Sequence, residues 1–135
     1  TVIYLMVGIN DAHNNIPVEL TLKNINSICD SIDKYKIELI VQSVLPTTNY
    51  YDTLYGGFSV NDVLERRSRR INLKLESLCK RRNYQFLNIR PYLTEGRFLK
   101  NEYSTDGIHL NFAGYKQWMK AVVEQQKTKT EDVRF

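Results

Sequence analysis

The 135 residues carry 42% hydrophobic and 25% charged side chains, the balance of one ordinary globular domain, and the length excludes a second. Nineteen basic and fifteen acidic residues give a net charge of +4; the segment 60–82 holds eight of the basic residues and three of the acidic, so it carries +5 and the remainder −1. No stretch approaches the roughly 18 consecutive apolar residues of a membrane span, no Lys/Arg-led apolar leader is present, and two cysteines do not make a disulfide framework.

The chain opens without a methionine on an apolar run, residues 1–7, ended by Gly8. Such a run predicts a strand buried on both faces of a parallel sheet, with a neighbour on each side. A polar turn follows. Pro17 suits a first helical turn, and Val18, Leu22, Ile25, Cys29 and Ile32 recur at the spacing of one face of a helix. Residues 37–45 are rich in β-branched side chains and stop at Pro46, which predicts a second strand.

Residues 46–59 form a long aromatic connection with Tyr50, Tyr51, Tyr55 and Phe58 around a Gly56-Gly57 hinge. Asn61 is a candidate N-cap for a helix with Leu64, Ile71, Leu75, Leu78 and Cys79 on its inner face and arginines on its outer face. Cys29 and Cys79 both fall at apolar helix positions and read as buried free thiols. Residues 84–89 predict a third, more polar strand suited to a sheet edge. A last helix over 111–126 is expected to turn Phe112, Tyr115, Met119, Val122 and Val123 inward, leaving 127–135 as a loose charged tail. Alternating strands and helices predict an α/β fold with a parallel sheet, whose working residues gather beyond the carboxyl ends of the strands.

Two motifs lie at those ends. In Val7-Gly8-Ile9-Asn10-Asp11, glycine permits a sharp turn, and Asn10 either closes an Asx turn or presents its amide N–H to a developing oxyanion. A dinucleotide-binding reading is weaker than either, because the further glycines of its fingerprint are absent. In Ser104-Thr105-Asp106-Gly107-Ile108-His109-Leu110-Asn111, Asp106 and His109 are spaced for a carboxylate that orients an imidazole base, or for a hydrogen bond at a helix start. Asn111 reads as the N-cap of the last helix.

Together, and in this order, the motifs resemble those of the SGNH hydrolases, also called GDSL-type esterases and lipases, over nearly the whole chain. The resemblance implies a flavodoxin-like three-layer α/β/α fold with strand order 2-1-3-4-5 and ester hydrolysis needing neither metal nor cofactor. It makes Asn10 an oxyanion donor, His109 the general base and Asp106 the carboxylate that orients it, with Gly8 and Asp11 supporting the loop. Ser43-Val44-Leu45-Pro46 resembles the family's strand-to-loop transition. The family's Gly-Asp-Ser nucleophile motif is absent, and none of the seven serines has its context. The expectation is therefore the C-terminal part of one such domain, residues 1–126, with the first strands and the serine on an N-terminal segment and little activity without it.

The expected substrate is a small ester. An acetylated carbohydrate is favoured if Tyr50, Tyr51 and Tyr55 stack on sugar rings, against the equal alternative that they pack the loop down. The rival class is a non-catalytic binding domain using the basic helix 60–82. Interspersed Asp62, Glu65 and Glu76 make a solvated helix face the better reading, so nucleic acid is not expected as a partner. His13 and His109 lack metal-ligand spacing. Nothing in the sequence fixes the compartment.

Overall fold

A computed structural model describes residues 1–55 and 60–132. The Gly56-Gly57 hinge, Phe58, Ser59, the side chain of Tyr55 and the end of the tail lie outside the described residues.

Three strands, β1 (Val2–Leu5), β2 (Glu38–Gln42) and β3 (Gln85–Leu87), form a parallel sheet in the order β1-β2-β3. Between them run α1 (Ile9–His13), α2 (Val18–Asp33), α3 (Tyr51–Tyr55) and α4 (Val60–Arg82). After β3 come a short helix α5 (Arg90–Leu93), a two-stranded hairpin of β4 (Thr94–Glu95) and β5 (Phe98–Leu99), a 3-10 turn (Asn101–Tyr103), and the long helix α6 (Phe112–Asp132). The pieces within 90–110 and the single turns α1 and α3 have too few residues for a periodic signal, so the sequence pattern does not announce them.

The three layers follow from the period-two alternation of β2. Leu39 and Val41 pack with Ile25, Cys29, Leu64, Ile71 and Leu75 of α2 and α4. Ile40 points the other way, into a second core of Leu87, Ile89, Leu93, Leu99, Ala121 and Val122 beneath α6. The expected helical stripes of α2 and α4 thus meet the same face of the sheet. Cys29 and Cys79 are buried free thiols, and burial, with Cys29 alongside, pushes the Cys79 thiol up to about 11.

Several expectations are corrected. The first strand is shorter than residues 1–7, its regular pairing ending at Leu5; it is paired only to β2 among the described residues, with Val2 and Tyr4 40% and 39% exposed, so the second neighbour expected for it is not among them. Pro17 immediately precedes α2, and its carbonyl accepts the N–H of Thr21. Asn61 lies inside α4; its backbone N–H donates to Asp52 Oδ1 at 2.8 Å, while its buried side chain ties down Asn49 and Thr47. Nor do the arginines of α4 merely cover an outer face. Fully buried Glu65 accepts from Arg69, Arg90 and Arg97, Arg67 donates to the Ala12 carbonyl and to Asn15, and Arg82 pairs with Asp30 and Asp33.

The inward face of α6 is also different. Phe112 is 79% exposed, and Tyr115, Met119 and Val123 are exposed as well. The helix instead docks through Gly114, Gln117, Trp118, Ala121, Val122 and Gln125, a stripe at helical spacing. Its glutamine amides donate to the carbonyls of Tyr92 and Asn88, and Trp118 bonds Gln42. The helix continues to Asp132, so most of the expected tail is ordered helix, capped at its start by Asn111 as expected, with Gly114 N–H donating to Asn111 Oδ1 at 3.0 Å.

Candidate active site

Two segments converge beyond the carboxyl end of β1. Gly8 turns the chain out of the strand at φ +128, a conformation that favours glycine, and a β-carbon there would come within 3.2 Å of Val44. The Gly8 carbonyl then accepts the Ala12 N–H, starting the single turn α1 that carries Asn10. The Asp11 carbonyl accepts the Ile16 N–H and closes the link to α2. The expected polar turn is therefore a helical turn. Asn10 is exposed and its carboxamide makes no hydrogen bond among the described residues, which sets aside the Asx-turn alternative.

The second segment runs from Ser104 to Leu110, two residues joined by an antiparallel bridge. Within it Asp106 Oδ2 lies 2.6 Å from His109 Nδ1, and Asp106 Oδ1 accepts the backbone N–H groups of Ile108 at 3.0 Å and His109 at 2.8 Å. Partial burial acts to raise the Asp106 pKa, but the bonds from the His109 ring and the two backbone N–H groups outweigh it and hold the carboxyl well below the usual carboxylate range. An ionised Asp106 keeps the hydrogen of a neutral imidazole on Nδ1. The lone pair is then on Nε2, on a ring that is largely open to solvent.

Asn10 and His109 line one cleft of about 210 Å³, walled by Met6, Val7, Val44, Leu45, Ile108, Leu110 and Tyr115. An imidazole held by a carboxylate and a carboxamide without a partner among the described residues thus meet at a concave, largely apolar cleft. Such a set can take a proton from a nucleophile and stabilise an oxyanion. Among the described residues no group of three or more His, Cys, Asp or Glu side chains gathers as a metal site.

Tyr50 and Tyr51 are not among the residues that line this cleft. Tyr51 is buried, stands edge-to-face against His13 and packs beside Gly107. Tyr50 is half-buried and donates its hydroxyl to the Ser104 carbonyl at 2.7 Å. Of the two readings of the aromatic loop, packing is the one that fits these two residues. Ser43 is fully buried and accepts the N–H groups of Ile89 and Arg90, so it joins β2 to α5. Ser104 is likewise buried and committed to the Asp106 loop.

One contributor escapes sequence reading altogether. Asn72 bonds both backbone groups of Val44, its Oδ1 accepting the N–H at 2.6 Å and its Nδ2 donating to the carbonyl at 2.9 Å. It thereby fixes a wall of the cleft just past the end of β2. Its only signal is an amide beside Ile71 on the inner face of α4.

Comparison with solved structures agrees with this architecture. A GDSL-like lipase from Bacteroides thetaiotaomicron is 25% identical, with a TM-score of 0.75 over 96% of this chain and 62% of that one. A protein from Streptococcus pneumonia, provisionally described as a platelet activating factor, is 27% identical, with a TM-score of 0.77 over 92% of this chain and 58% of that one. The esterase domain of the ZfL2-1 ORF1 protein from a zebrafish retrotransposon, 22% identical with a TM-score of 0.55, shares the fold over 92% of this chain and 67% of that one. The chain thus spans about three-fifths of the first two. No curated protein matches the sequence significantly. The model of the GDSL-like lipase/acylhydrolase family matches residues 1–117, and the chain belongs to that family.

Proposed function

We propose that the chain supplies the base, its orienting carboxylate and one oxyanion donor to a serine ester hydrolase acting on small esters. The observation that carries this reading is the 2.6 Å Asp106–His109 contact beside a cleft that Asn10 also lines. The nucleophile belongs to a preceding segment laid against β1. The exposed apolar side chains of β1, Met6 and Val7, and of Phe112, Tyr115 and Met119 on α6, support a covering segment on this side.

In the proposed reaction the serine oxygen attacks the ester carbonyl while His109 Nε2 takes its proton. Asp106 holds the ring through Nδ1 and stabilises the imidazolium. The Asn10 amide donates to the tetrahedral oxyanion, which collapses as His109 protonates the departing alcohol. Water, deprotonated by His109 in turn, releases the acid. A cleft of about 210 Å³ suits a short acyl group, so short-chain esters are the substrate class to test first, with acetylated carbohydrates among them.

The experiment is hydrolysis of acetylated sugars, short p-nitrophenyl esters and long-chain esters by a protein that includes an upstream Gly-Asp-Ser segment. Serine-dependent turnover of short esters, abolished by His109→Ala, is expected. Preference for long acyl chains would refute the substrate assignment, and full activity in His109→Ala would refute the mechanism.

A further inference from the structure

We propose that Tyr50 and Ser104 are positioning residues for the Asp106–His109 pair, a role that rests on the esterase reading. The segment 104–110 is short, carries no regular secondary structure, and presents an exposed histidine. It has to be held from elsewhere. Two hydrogen bonds from outside, by Tyr50 and Thr48, and two within it, by the Ser104 hydroxyl, hold it. The Tyr50 hydroxyl, 54 residues distant in sequence, donates to the Ser104 carbonyl at 2.7 Å. The Ser104 hydroxyl accepts the Gly107 N–H at 2.9 Å and donates to Asp106 Oδ1 at 3.3 Å. The Gly107 carbonyl accepts the Thr48 N–H at 2.8 Å.

The consequence lies in how the Asp106 carboxylate is divided. Oδ2 is given to the imidazole, whereas Oδ1 is occupied by the Ile108 and His109 N–H groups and the Ser104 hydroxyl. The carboxylate can rotate away from the ring only by breaking those bonds. Tyr50 fixes the residue that supplies the hydroxyl, so the connection after β2 sets the position of the base. Tyr50 therefore acts through the loop and not by stacking on substrate, and Ser104 serves the histidine without being the nucleophile.

The test pairs amide hydrogen exchange with steady-state kinetics. Tyr50→Phe retains the ring and removes the hydroxyl. It is expected to speed exchange at Gly107, Ile108 and His109 by about fivefold to tenfold, the effect of losing one hydrogen bond. In the serine-containing enzyme the same substitution should lower kcat by about tenfold with KM unchanged. Ser104→Ala should reproduce both effects and Ser104→Thr, which keeps the hydroxyl, should largely restore them. Unchanged exchange and kcat in Tyr50→Phe, with a raised KM in Tyr50→Ala, would overturn the proposal and make Tyr50 a substrate contact. Faster exchange in Tyr50→Phe, with no ester hydrolysis by the serine-containing wild-type protein, would instead refute the esterase reading and leave the brace standing as a structural device.

Discussion

Trp118 Nε1 donates to Gln42 Oε1 at 2.6 Å, joining the middle of α6 to the last residue of the central strand. Gln42 is 3% exposed, so its amide oxygen has no access to water as a replacement partner. Trp118→Phe keeps an aromatic ring in the same place and removes the donor. It should destabilise the fold by about 1–3 kcal/mol, the cost of an unsatisfied buried acceptor, seen as a lower urea midpoint with an unchanged slope.

That contact also marks where sequence patterning stops being informative. The stripes of α2 and α4 were legible because both helices lie on a flat sheet face, where burial rewards apolar side chains at helical spacing. Helix α6 packs against strand ends and irregular backbone with a face that mixes donors, Gln117, Trp118 and Gln125, with Ala121 and Val122, and its more hydrophobic stripe is exposed on the side where a covering segment is proposed. The candidate site was legible for the same kind of reason. Asn10, Asp106 and His109 sit in short motifs whose chemistry depends on local spacing, whereas Asn72, Thr48 and Tyr50 act across distances of tens of residues, which no local pattern encodes.

Gly107 adopts φ +87, and a β-carbon there would approach Thr48 Oγ1 to 2.9 Å and the Tyr51 ring to 3.0 Å. Gly107→Ala therefore combines a conformation that L residues rarely adopt with a collision against buried neighbours. A loss of at least about 1–3 kcal/mol is expected. The same substitution should broaden or shift the amide resonances of residues 106–109. A variant with wild-type stability and an unperturbed loop would contradict this account of the turn.

Glu65 is fully buried among Arg69, Arg90 and Arg97; burial alone would raise its pKa, and the guanidinium groups override it and hold the carboxyl below its ordinary value. Asp106 is depressed as described, and the Tyr84 hydroxyl with Arg82 does the same for Asp33. A carboxyl whose folded pKa lies below its unfolded value contributes stability fully above the unfolded value, near 4, and loses it as pH falls through the folded one. Urea midpoints should be flat from about pH 7 to 5 and then drop steeply. Glu65→Gln should cost about 3 kcal/mol at neutral pH, because the guanidinium of half-buried Arg90 loses its partner, and should flatten the acid limb. An acid limb of wild-type steepness in that variant would assign the titration to other groups.

The Asn10 carboxamide makes no hydrogen bond among the described residues, and its backbone carbonyl, which accepts the Asn14 N–H, survives a side-chain substitution, so truncating the side chain should leave the fold intact and act on chemistry alone. In a protein that contains the upstream serine, Asn10→Ala should lower kcat by about 10² to 10³ with little change in KM, since an oxyanion donor is used only once the tetrahedral intermediate forms. Asn10→Asp should be at least as impaired, because a carboxylate repels the developing charge and offers no donor. Residues 1–135 alone should show negligible turnover, and mixing them with a peptide carrying the missing strand and its serine should restore some of it. Robust hydrolysis by these residues alone would place the nucleophile among the seven serines already present and end the case for an external one.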